Sequence, residues 1–265
     1  RRIDMLSHEM KRAVFSWGMV LASAIVFICL LGFSIPTWQE SAESALEYRP
    51  SALEQSLGGI FFGGVMLMLP FCAVLPFALS QIDEINTGFH LLRGIRQSVG
   101  QYVQHKSIAA MLAGGLSIAL PFLLHCCLWN IIALPYQPSI YPDQEIGFYG
   151  LYGDWSGILN AWPMYLWIAF GLLLSGALWA LVGLSVTVWI PDKLVCIMIP
   201  IAICYFWSYG LYGHILGITL PSPSGLYNDG LTWERFFQTL GVSTVLGIIA
   251  YLVYYIGLKR RLRYV

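Results

Sequence analysis

Residues 162–190 read WPMYLWIAFGLLLSGALWALVGLSVTVWI, and after Pro191-Asp192-Lys193 a second apolar run extends from Leu194 to Leu220. The first run carries no charged side chain. As helix it exceeds the roughly 20 residues needed to span a hydrocarbon core of ~30 Å. Strands of a membrane barrel alternate apolar and polar residues over only ~10 positions; these runs are longer and uniformly apolar. Two such runs joined by a three-residue turn predict a pair of antiparallel membrane-spanning helices.

Working outward, four more runs meet the same criterion: Ala13 to Ile35, Leu57 to Leu79, Ile108 to Leu134 and Phe236 to Leu258. The expected fold class is therefore an all-α integral membrane protein. It has six transmembrane helices (13–35, 57–79, 108–134, 162–190, 194–220 and 236–258) in a single domain over residues 1–265. Composition agrees, with 58% hydrophobic and 11% charged residues, the latter under half the share of a soluble domain. The first run is too long for a cleavable signal and reads as a helix that stays. The formal net charge of zero argues against a nucleic-acid partner held by a basic field.

Orientation follows from lysine and arginine. Of the 14, only Arg49 and Arg235 fall on one side of the six-span layout. Arg1, Arg2, Lys11, Arg12, Arg93, Arg96, Lys106, Lys193, Lys259, Arg260, Arg261 and Arg263 fall on the other. Both termini are thus expected on the cytoplasmic side of a cell membrane. Outside, residues 135–161 hold Tyr136, Tyr141, Phe148, Tyr149, Tyr152 and Trp155 without a lysine or arginine, an aromatic belt or cap at the interface. No internal segment is long enough for a second folded domain, so a soluble catalytic unit is expected on another chain.

Chemical motifs are sparse. None of Lys11, Lys106, Lys193 and Lys259 closes a Gly-x-x-x-x-Gly-Lys-[Ser/Thr] loop, the backbone nest that holds nucleotide phosphates. Gly183-Leu-Ser185-Val touches a membrane serine-protease pattern, but Ser185 is near the inner end of its span and both membrane histidines near outer ends. His125 and His214 sit at similar depth, which permits a bis-histidine haem or metal site; ordinary interfacial histidines are the simpler reading. The spans contain no buried carboxylate, against a proton- or sodium-coupled relay near the midplane. Cys29, Cys72, Cys126, Cys127, Cys196 and Cys204 lie in apolar runs without zinc-site spacing and read as small interface fillers.

The richest segment is internal, between the second and third spans: SQIDEINTGFHLLRGIRQSVGQYVQHK, residues 80–106. Ile82, Ile85, Phe89, Leu92, Ile95, Val99 and Val103 recur every three or four residues, one apolar helical stripe. Ser80 followed by Asp83 predicts a helix start. Gly88, Gly94 and Gly100 predict a helix, a bend and a second helix.

Glu84, Gly88, Leu92, Ser98, Tyr102 and Lys106 together resemble the loop of ABC-2 type transporter permeases. That family's pattern runs Glu-x-x-x-Gly-x-x-x-Leu, a turn often holding proline, serine and arginine, and a closing lysine. Here Gly94-Ile95 stands in the region of the proline and Arg96 precedes the serine. The basic amphipathic start, six spans and internal ends match the family's layout. The resemblance implies the membrane subunit of an ATP-driven exporter, pairing with a second permease copy and with separate ATP-binding cassette ATPase subunits. It further implies no catalytic residue and no cofactor on this chain, with ATP and Mg on the partner ATPase. Asp83, Glu84, Gly88, Phe89, Leu92, Arg93 and Arg96 are the residues expected to meet the ATPase. Aromatic, charge-poor spans favour an amphiphilic or apolar cargo such as a lipid, peptide antibiotic or drug, in contact with membrane lipids. Two other classes stay open: a haem- or metal-binding redox protein using His125 and His214, and an ATP-independent secondary transporter.

Overall fold

The computed structural model describes residues 2–44, 52–61, 65–89, 98–133, 162–206 and 233–263. Among them every regular element is a helix: α1 (Arg2–Val14), α2 (Trp17–Ser44), α3 (Ala52–Phe61), α4 (Val65–Val74), α5 (Ser80–Asn86), α6 (Val99–Ile132), α7 (Trp162–Thr187), α8 (Lys193–Tyr205) and α9 (Trp233–Arg263). Four stretches are long and apolar enough to cross a membrane: Trp17–Pro36, Val99–Ile132, Trp162–Thr187 and Leu240–Leu262.

The remaining expected spans are only partly described. The run 57–79 is divided between α3 and α4, with residues 62–64 outside the described residues and turns after Val74. The run 194–220 contributes α8 as far as Tyr205, and residues 207–220 lie outside the described residues. The first expected span begins too early. Ala13 belongs to α1, and the chain turns at Phe15-Ser16, where Ser16 Oγ accepts from Met19 N (3.0 Å) and donates to Pro76 O (2.9 Å). The third begins too late: Ser98 caps α6, its Oγ accepting from Gln101 N (3.4 Å), so part of the internal segment is continuous with the span.

The α6–α7 pair is the centre of the bundle. A Cβ on Gly176 would stand 2.5 Å from Gly114 O and 2.9 Å from Gly115 Cα, and one on Gly114 would stand 2.5 Å from Ala180 Cβ. Only glycine allows so close a backbone approach, the small-residue crossing by which helices pack tightly in lipid. α4 fits against the same crossing, with Ser117 Oγ donating to Cys72 O (3.3 Å). Burial grades outward from there: 72% of the apolar window of α7 is buried against 17% of that of α9. Val20, Ile28, Leu124, Ile131, Ile248 and Ile256 are exposed on α2, α6 and α9, an apolar surface of the kind lipid covers.

One end of the bundle gathers the segments expected to be internal. The α1–α2 corner, the turn after α4, α5, the start of α6, the turn 188–192 and the end of α9 meet there. Their contacts are Ser16 with Pro76, Arg12 and Lys106 with Glu84, Lys193 with Asp83, and Arg261 with Val188 O. The Pro191-Asp192-Lys193 turn expected from sequence is closed by Asp192, whose Oδ1 accepts from Val195 N (2.9 Å) at the start of α8.

Candidate coupling segment and its buried ion cluster

α5 is entered from tight turns. Ser80 N, Gln81 N and Ile82 N donate to Phe77 O, Ala78 O and Leu79 O at 3.0, 3.3 and 3.0 Å, so the first-turn amides are satisfied by short-range backbone bonds. The start expected from Ser80 and Asp83 is therefore not a side-chain cap: Leu79 holds the cap position in helical conformation, without a capping bond. At the other end Thr87 N and Thr87 Oγ1 both donate to Asp83 O, at 3.0 and 2.7 Å. Gly88 N donates to Ile85 O (3.1 Å), and Gly88 has φ +70°; among the described residues, its two neighbours aside, no atom lies within 4 Å of its Cβ position. Glycine suits that left-handed turn, which other residues adopt only with strain.

The expected apolar stripe divides between two surroundings. Ile82 and Val103 are buried in the bundle, Ile85 and Val99 are half-buried, and Phe89 is exposed. Leu92, Ile95, Arg93 and Arg96 lie outside the described residues. Asp83 points outward and pairs with Lys193 (2.8 Å), both being more than half exposed. An exposed pair of this kind is worth at most ~1 kcal/mol.

Glu84 faces the other way. Its Oε1 accepts from Arg12 Nη1 and Lys106 Nζ, both at 2.7 Å, and its Oε2 accepts from Tyr102 Oη at 2.6 Å. Gln81 Oε1 lies 2.9 Å from Tyr102 Oη and 3.2 Å from Tyr254 Oη. Glu9 stands 4.0 Å from both Arg12 and Lys106, and the Lys106 ammonium lies 4.4 Å from the centre of the Phe77 ring. Lys106 is fully buried and Glu84 is 3% exposed. Burying charges costs several kcal/mol each unless they are paired and hydrogen-bonded. Here two carboxylates face two cations, and the shortest contacts are charge-assisted. A contact between Glu84 and another protein would require these bonds to open, so the outward-facing side of α5 is carried by Asp83, Asn86 and the nearby Phe89.

The cluster joins α1 through Glu9 and Arg12, α5 through Gln81 and Glu84, α6 through Tyr102 and Lys106, and α9 through Tyr254. Only Glu84, Tyr102 and Lys106 were marked by the motif. Glu9, Arg12 and Gln81 could have been found by helical spacing, since Glu9/Arg12, Gln81/Glu84 and Tyr102/Lys106 are polar pairs three or four apart, each on one helix face; Tyr254, distant in sequence, carries no such signal.

At the opposite end His125 is fully buried in α6. Its Nε2 accepts from Trp129 Nε1 (2.9 Å) and lies 2.8 Å from Ser34 Oγ on α2. An indole N–H only donates, so Nε2 is occupied as the acceptor and is not presented to an iron or other metal in this arrangement. The position of its expected counterpart, His214, is outside the described residues. None of the six cysteines is in a disulfide, and of the adjacent pair Cys126 is buried while Cys127 is exposed.

No protein-family model, curated protein or solved structure matches the chain.

Proposed function

We propose that this chain is the membrane permease subunit of an ATP-driven transporter of the ABC-2 type, with six crossings and both termini in the cytoplasm. The observation that carries the proposal is the fixing of α5. The motif residues Glu84, Tyr102 and Lys106 lock it into the bundle, while Asp83 and Phe89 remain on the outside. A membrane unit driven from elsewhere needs a stiff element at its surface, because slack there would dissipate movement before it reached the spans. The gathering of Arg12, Lys106, Lys193 and Arg261 at the same end supports a cytoplasmic position for that element.

On this reading ATP and Mg bind separate ATPase chains, a second permease copy completes the pathway, and the segment from Asp83 to Tyr102 meets the ATPase. Phe89 and Leu92 supply apolar contact there, and Asp83, Arg93 and Arg96 a polar rim. The apolar surface of α2, α6 and α9 fits export of an amphiphilic or apolar cargo. The test is purification from native membranes: an ATPase with a phosphate-binding loop copurifies, and the isolated chain hydrolyses no ATP. Robust hydrolysis by the isolated chain would overturn the subunit reading.

A further inference from the structure

α5 is held from several sides, and one of its partners is distant in sequence from the motif that marks the segment. Tyr254, fully buried in the last helix, donates to Gln81 Oε1 across the bundle (3.2 Å). The same carboxamide oxygen lies 2.9 Å from Tyr102 Oη, which in turn lies 2.6 Å from Glu84. The one Tyr102 hydroxyl proton serves the shorter contact to Glu84, so α5 is bonded to α9 through Gln81 and, separately, to α6 and α1 through Glu84, which also accepts from Arg12. A second link closes a ring around α5. Asp83 pairs with Lys193, and the turn before Lys193 is tied to α9 where Trp189 Nε1 donates to Val253 O (3.4 Å).

α9 is held by Tyr254, by Gly257 packed against Trp189 and by Arg261 Nε donating to Val188 O, but it is the least buried of the four long apolar helices. Its apolar window is 17% buried, and its outward side is apolar and exposed from Val245 to Ile256. By contrast α6 and α7 are locked by interpenetrating glycines that allow no relative shift without collision. Of the four long apolar helices, α9 is thus the one whose packing leaves it most free to follow α5. We infer that Tyr254 and Gln81 are positioning residues that make the last helix move with α5, so that α9 is the first membrane helix to respond when the segment is displaced. This rests on the transporter reading for its purpose, but not for its physical test.

The test uses the full chain in nanodiscs with its six native cysteines replaced and spin labels at exposed positions. One pair sits at Phe89 and Lys259, reporting α5 against the inner end of α9; a control pair sits at Leu124 and Leu166, reporting α6 against α7 at the far end. Tyr254→Phe removes a single hydroxyl and is expected to broaden the 89–259 distance distribution while leaving the 124–166 distribution narrow. Glu84→Gln is expected to do the same. An unchanged 89–259 distribution in Tyr254→Phe overturns the inference. Broadening of both label pairs also overturns it, because the hydroxyl would then be serving general stability. Absence of a copurifying ATPase would remove the transporter reading and leave this distance result standing.

Discussion

Replacing Glu84 by glutamine changes the charge of the cluster with almost no change in shape. In the native chain the carboxylates of Glu9 and Glu84 balance Arg12 and Lys106. After Glu84→Gln the fully buried Lys106 ammonium keeps, among the described residues, only Glu9 at 4.0 Å as a carboxylate partner. Breaking a buried ion pair by removing one member costs ~3–5 kcal/mol, and 3 kcal/mol is about a hundredfold in the unfolding equilibrium. Adding Lys106→Met removes the buried cation that Glu84→Gln leaves short of a partner. The double variant should therefore cost less than the sum of the singles, by roughly 1–3 kcal/mol. Asp83→Asn is the control, because it removes a carboxylate of the same helix from an exposed pair and should cost at most ~1 kcal/mol. Equilibrium unfolding in mixed micelles, followed by tryptophan fluorescence, measures all four variants. A Glu84→Gln cost no larger than that of Asp83→Asn, or strict additivity with Lys106→Met, would refute the reasoning.

Other outcomes follow from the same contacts. Gly176→Ala places a Cβ 2.5 Å from Gly114 O and should destabilise the bundle by about 1–3 kcal/mol; Gly32→Ala, with nothing within 4 Å, should express and elute from size exclusion like the parent. Gly88→Ala must adopt φ +70° at a cost of roughly 1–2 kcal/mol, read in the same unfolding assay. A cysteine at Ser98 in a cysteine-free background should react with an impermeant maleimide only after the membrane is opened; labelling from outside intact cells would reverse the topology.

The apolar runs made α2, α6, α7 and α9 legible, because lipid imposes a length and a polarity that no other environment reproduces. The turn at Pro191-Asp192-Lys193 was legible for the same reason, being the only polar break in a long apolar stretch. The limits of α1 and α6 were not. Ala13 is as apolar as a membrane residue, and nothing in hydropathy marks the corner at Phe15-Ser16; Ser98 was seen as part of a motif rather than as the cap that joins the internal segment to its span. The inward aim of Glu84 was missed because the stripe was drawn from apolar residues alone. In a segment where Gln81, Glu84, Tyr102 and Lys106 share buried faces with Ile82 and Val103, apolar periodicity locates the helices but not the polar core between them.

The central claim is that α5 and the residues after it receive movement from a separate ATPase. Cysteines at Phe89 and Leu92, crosslinked in native membranes, test it most directly. The expected result is a covalent product containing this chain and an ATP-hydrolysing partner, formed from both positions. Bridges only within this chain, or free reaction of both cysteines with a water-soluble reagent in the assembled complex, would contradict it.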